Sequence, residues 1–125
     1  MNERSLIIAA AANMFIAVGA GAFGAHGLKQ VLSTDMLAVW QTAANYQVMH
    51  ALGLFVLALL MPRLNPSLLG WAGVAMLAGI VLFSGSLYAL ALSGIRILGA
   101  ITPLGGLGFL LAWTMVAWAA YQSAR

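Results

Sequence analysis

The sequence predicts an all-α integral membrane protein, a four-helix bundle with both termini on the same side of the bilayer. Three observations carry this. Of the 125 residues, 64% are hydrophobic and 6% charged, whereas a soluble domain carries about 25% charged residues. A water-facing surface cannot be built from that inventory. The charged residues Glu3, Arg4, Lys29, Asp35, Arg63, Arg96 and Arg125 are set apart by long, almost uncharged stretches. Four of these reach the roughly 20 apolar residues a helix needs to cross the hydrocarbon core: about 5–25, 43–61, 68–92 and 103–121. Residues 1–125 are therefore expected to form a single transmembrane domain, with the lipid bilayer as its first partner.

Charge and cysteine usage exclude several classes. The sequence pI of about 10.0 rests on five scattered basic residues, with no basic cluster or aromatic interleaving to make a nucleic-acid surface. The absence of cysteine rules out a disulfide framework, a thiolate metal site and a cysteine nucleophile. It does not fix the compartment.

The first span imitates a signal peptide, with Arg4, the apolar run Leu6–Val18 and the small residues Gly19–Ala22 standing for the three regions of such a peptide. A retained anchor is the expected reading. On it Asn13, Ala17, Ala20 and Gly24 form a stripe of small or polar residues, a seam for close helix packing in lipid. Gly27 offers a C-cap, and Lys29 sits where a cation suits a helix C-terminus. His26 then falls at the membrane boundary, more readily an interfacial hydrogen-bonding residue than a ligand. Residues 28–42 form the longest polar connection. Within it Ser33-Thr34-Asp35 are suited to cap a short interfacial helix carrying Met36, Leu37 and Trp40 ahead of the second span.

The second span carries the most polar side chains. On a helix, Ala43, Tyr46, Gln47, His50, Gly53 and Leu57 share a face, while Gln41 and Asn45 point the other way. Polar groups in a bilayer are costly and turn toward the bundle interior. The expected role is an interhelical hydrogen-bond network, worth about 0.6 kcal/mol per contact. The alternative is a proton relay or a polar ligand site.

Met61–Pro66 is a turn, because Pro62 stops one helix and Pro66 opens the next. In the third span Ala75 and Gly79 make a small-xxx-small pair, and Gly73, Ser84, Tyr88 and Ala91 lie on one side. Phe83–Tyr88 is polar enough to want a partner across the bundle. No acidic residue stands within a span to complete a catalytic triad, so no enzymatic activity, metal site or cofactor is expected. After the turn Ser93–Arg96, Thr102 and Pro103 read as N-cap and first residue of the last helix. Gly105, Gly106 and Gly108 follow. With Arg96 nearby this helix start could hold an anion, but it lacks the sequence of a phosphate loop, and tight packing is the preferred assignment. His26, Arg96 and Thr102 are the candidate interfacial residues.

Arg4, Arg63 and Arg125 fall on one side and Lys29 and Arg96 on the other. The positive-inside rule then places both termini in the cytoplasm. Trp71, Trp118 and Tyr121 lie near that interface and Trp40 near the opposite one, as an aromatic belt would.

Four segments stand in order: Gly21–His26, Gln41-Thr-Ala43 with Tyr46, Gln47 and His50, Leu82–Tyr88, and Thr102–Gly106. Together they resemble the family of small bacterial inner-membrane proteins of unknown function that includes YgdD, over nearly the whole chain. The resemblance implies a four-helix integral membrane protein and brings no activity or catalytic residue with it.

Three functions are weighed. The first is a structural or interaction protein of the inner membrane, forming a homo-oligomer, with the polar residues as packing glue and the protein partner unspecified. The second is a small transporter or channel for a polar solute or protons, lined by Tyr46, Gln47, His50, Ser84 and Tyr88. It is disfavoured by the lack of an internal repeat. The third is a membrane enzyme or haem carrier using His26 and His50, whose depths match only if the second helix enters the membrane late.

Overall fold

Four helices carry the chain in the computed structural model, which describes residues 1–123. They are α1 (Glu3–His26), α2 (Thr34–Leu60), α3 (Pro66–Ser93) and α4 (Thr102–Ser123), with 3₁₀ turns at Leu28–Gln30 and Arg96–Ala100. The described residues contain no strand. All four helices are long and apolar enough to cross a membrane.

The starts of the first three helices are set by side chains that accept from otherwise free N–H groups. Asn2 and Ser5 form a capping box (2.8 and 2.9 Å), so α1 begins two residues before the expected Ser5. Ser33 Oγ accepts from Met36 N (3.2 Å), and Asn65 Oδ1 accepts from Leu68 N (3.1 Å) ahead of Pro66. The Ser33 cap opens α2 itself. The separate interfacial helix expected over Met36–Trp40 is the first part of the second span, because neither glycine nor proline stands between Thr34 and Leu52.

α4 starts differently from the expectation. The 3₁₀ turn runs straight into it, and the Ile101 carbonyl accepts from Leu104 N (3.0 Å). Thr102 is inside the helix and spends its hydroxyl on Ser86 (2.6 Å) rather than capping.

Two glycines end helices for different reasons. Gly94 closes α3 at φ 72°, in the left-handed region, where a side chain is strained. Gly27 closes α1 at φ −77°. Here the matter is space: a Cβ would lie 2.6 Å from the exposed Phe23 ring, which would have to shift.

α2 and α3 pack on each other, with α1 against α2 and α4 against α3. The up-and-down order leaves the described ends of the chain and the 61–65 turn at one end of the bundle, as expected. Burying leucine from lipid drives nothing between helices, so close fit at small residues sets the packing. The seam Asn13, Ala17, Ala20, Gly24 on α1 faces α2: Gly24 leaves room for Trp40, whose Nε1 donates to the Ala20 carbonyl (2.8 Å). Leu6 fills the space at Gly73. Between α3 and α4, Gly79 admits the Phe109 ring, Gly105 lies on the Phe83 backbone, and Gly108 touches the backbone of Ala75 and Gly79.

The outer shell is apolar, with Phe15, Val81 and Leu110 exposed. Trp71, Trp118 and Tyr121 are exposed at the end that carries the described termini, with Trp118 and Tyr121 stacked at 5.5 Å. Trp40 departs from the expected belt. It is 7% exposed and packs edge-on against Tyr88 (4.6 Å), because Gly24 lets the indole reach the α1 backbone. Arg125, assigned by sequence to the side of the termini, lies outside the described residues.

Candidate functional site

The expected polar face of α2 turns inward. Gln47 and His50 are buried, and Gln41 and Asn45 on the opposite side are exposed. Its members nevertheless serve two separate groups, centred on Gln47 and on His50 three residues later.

The first group joins three helices. Tyr88 on α3 donates its hydroxyl to Gln47 Oε1 (2.8 Å). Gln47 Nε2 on α2 donates to Asn13 Oδ1 (3.1 Å), and Asn13 Nδ2 on α1 donates to its own Ala9 carbonyl (2.9 Å). Each carboxamide accepts at one end and donates at the other, so the three bonds run in one direction and polarise one another. Ser84 adds a second link from α3 to α2, donating to the Ala43 carbonyl (2.8 Å).

The second group joins α2 to α4. His50 Nδ1 lies 2.8 Å from the Tyr46 carbonyl, and Trp113 Nε1 lies 3.1 Å from His50 Nε2. A carbonyl only accepts and an indole N–H only donates. These two partners together fix the neutral imidazole with its proton on Nδ1. Phe109 stacks on the imidazole at 3.5 Å. No lone pair of His50 is left for a metal or a mobile proton.

The Tyr46 side chain belongs to neither group. Its ring packs against Phe83 (4.5 Å) and is 38% exposed, and its hydroxyl has no hydrogen-bond partner among the described residues. It lines a groove of about 440 Å³ between α2 and α4, walled by Phe83, Phe109, Leu110 and Trp113. The five expected site residues are thus brought onto one side of α2 and divided among an amide relay, a histidine clamp and an aromatic wall.

Of the interfacial candidates, His26 and Arg96 are exposed at the end away from the described termini, and Thr102 is half-buried against Ser86. Gly105 and Gly108 at the start of α4 are used for contact with α3, in line with the packing assignment. The haem geometry fails. His26 stands beyond Gly24, which lies against Trp40, and Trp40 precedes His50 by ten residues, about 15 Å of helix. The imidazoles are at different depths because α2 begins at Thr34. Among the described residues no three metal-ligating side chains converge.

From sequence Asn13 reads only as part of a packing seam and Trp113 has no role, while Ser86, within the segment Phe83–Tyr88 that wants a partner across the bundle, finds Thr102 on α4 (2.6 Å). Asn13 was the readable one, as the sole amide of the first span, in a medium where an amide needs a partner.

A family model described as "Protein of unknown function (DUF423)" matches residues 20–106. The chain is 53% identical over 117 residues to the UPF0382 membrane protein YwdK of Bacillus subtilis (strain 168), covering 93% of this chain and 95% of that one. A UPF0382 membrane protein of Staphylococcus epidermidis (strain ATCC 12228) is 49% identical over 110 residues, covering 88% and 89%. One from Staphylococcus aureus (strain USA300) is 45% identical over 118 residues, covering 94% and 96%. No solved structure matches the chain. Relatives named as membrane proteins and four apolar helices agree on a multi-pass membrane protein.

Proposed function

The chain belongs to the DUF423 family of proteins of unknown function, and from that premise we propose that it is a self-associating interaction protein of the bacterial inner (plasma) membrane. Its intramembrane polar residues hold the bundle together and do not line a route through it. One observation carries this reading: among the described residues that are not exposed, every buried polar side-chain atom has a hydrogen-bond partner. A conduit needs groups free to exchange partners with solute or water. Gln47 is engaged at both ends of its carboxamide and His50 at both ring nitrogens.

Self-association draws its support from the outer side of α2. The small residues of α1, α3 and α4 are largely used inside the chain, at Gly24, Gly79, Gly105 and Gly108. The reading puts both termini in the cytoplasm; its support is the positive-inside count, with Arg4 and Arg63 at one end, joined in sequence by Arg125, against Lys29 and Arg96 at the other.

The test is reconstitution into liposomes carrying a pH-sensitive dye, with solute uptake followed by light scattering. Proton and solute flux should equal that of empty liposomes. Flux above that level that disappears in Gln47→Leu overturns the reading. Single cysteines at Asn2 and Gln30, in a chain that has none of its own, test orientation in intact cells. A membrane-impermeant maleimide should label the second and spare the first.

A further inference from the structure

We propose that the outer side of α2 is the seam along which two copies of this chain pair, with Asn45 hydrogen-bonded to its own counterpart in the second copy. The proposal rests on the self-association put forward above and gives it a surface. Thr42, Asn45, Met49, Leu52, Val56 and Leu59 are all exposed, and their spacings alternate three and four. Those spacings keep the six residues on one face of the helix; Phe15 and Val81 stand on exposed stripes of the same spacing, and what sets this stripe apart is Asn45. The stripe faces directly away from the bundle: Asn45 and the buried Leu54 are nine residues apart, two and a half turns at about 3.6 residues per turn.

Asn45 is what asks for a partner. It stands ten residues from Asp35, about 15 Å of helix, or half the roughly 30 Å hydrocarbon core. Two exposed threonines on these helices quiet themselves locally. Thr42 donates to the Ala38 carbonyl (3.0 Å) and Thr114 to the Leu110 carbonyl (2.8 Å). The Asn45 carboxamide makes no hydrogen bond among the described residues, and hydrocarbon offers it none.

A second copy fits this demand better than a lipid or an unrelated protein. A carboxamide donates and accepts, so it complements itself. Two copies inserted the same way and related by a two-fold axis along the membrane normal place each seam residue opposite itself. Acyl chains offer the carboxamide no donor or acceptor, and the stripe carries no charge to recruit a charged partner. A single Asn among apolar seam positions also fixes register.

Single cysteines test the seam in native membranes, because the chain contains none. Met49→Cys and Leu52→Cys should oxidise to disulfide-linked dimers, and the lipid-facing controls Phe15→Cys and Val81→Cys should not. Energy transfer between labelled copies in detergent reads affinity. Asn45→Val should weaken pairing roughly three- to tenfold, from the measured range for interhelical hydrogen bonds, and Asn45→Gln should largely restore it. Crosslinking at Phe15 or Val81 in place of the seam, or full affinity in Asn45→Val, overturns the seam while self-association stands. A monomer at every concentration in both media overturns both.

Discussion

Replacing Gln47 by Leu keeps the side chain's bulk and removes the centre of the amide relay. Two groups are orphaned at once: the Tyr88 hydroxyl, which donates across 2.8 Å, and the Asn13 oxygen, which accepts across 3.1 Å. Both groups lie within membrane-spanning helices, where hydrocarbon offers neither a replacement partner. Interhelical hydrogen bonds in membranes average about 0.6 kcal/mol and reach ~1.7, and a buried group left unsatisfied costs about 1–3 kcal/mol. Gln47→Leu should therefore destabilise the fold by about 2–3 kcal/mol. Tyr88→Phe, which strands only one carbonyl, should cost about 1 kcal/mol. The decisive quantity is a sign. In the Gln47→Leu background the Tyr88 hydroxyl is already an orphan, so removing it with Phe should return about 1 kcal/mol. The assay is reversible unfolding in mixed micelles, followed by tryptophan fluorescence, since Trp40 lies 4.6 Å from the Tyr88 ring. Equal cost of Tyr88→Phe in both backgrounds would refute the relay.

Further outcomes follow from single contacts. Trp113→Phe leaves His50 Nε2 without its donor and should cost about 1–2 kcal/mol by the same unfolding assay. Nitrogen-15 NMR of labelled histidine should show His50 as the neutral tautomer protonated at Nδ1 in the parent chain; a proton on Nε2 would refute the clamp. Gly105→Ala places a methyl 2.7 Å from Phe83 Cα, where backbone cannot yield, and should abolish the folded state in a detergent-stability screen. Gly106→Ala meets nothing within 4 Å and should be neutral or stabilising by up to about 1 kcal/mol in the same screen, since alanine is the better helix former. Gly94→Ala, at φ 72°, should cost about 1 kcal/mol in thermal unfolding.

The helices were legible because hydropathy and length act locally, and Thr34–Leu60 shows the limit of that reading. Its polar first half reads as a separate interfacial segment, although nothing in it breaks a helix. The inward face of α2 was also readable from spacing alone, since Ala43, Gln47, His50 and Leu57 recur at helical intervals. What spacing does not carry is the identity of the partner. Gln47 could have met any neighbouring helix. That it meets Asn13 on one side and Tyr88 on the other depends on how α1 and α3 seat against α2, at Gly24 and at Ser84. Trp40 was misplaced for a related reason. An indole near a helix start reads as an interface anchor until the glycine opposite it is known to open a path to a carbonyl.

The two ways in which the helices are joined have different consequences. α3 and α4 meet backbone to backbone, through Gly105 on Phe83 and Gly108 on Ala75 and Gly79, and such a contact tolerates almost no change in spacing. α2 and α4 meet through side chains: Phe109 stacks on His50, while Trp113 bonds the imidazole and also reaches Gly53, where a Cβ would sit 3.4 Å from its ring. The groove that holds Tyr46 lies along this second junction. Substitutions at position 113 act on the α2–α4 groove while the α3–α4 seam persists, and substitutions at position 105 act on the seam. The aromatic clamp around His50 therefore sets the width of the groove, and a neutral histidine is what the clamp requires.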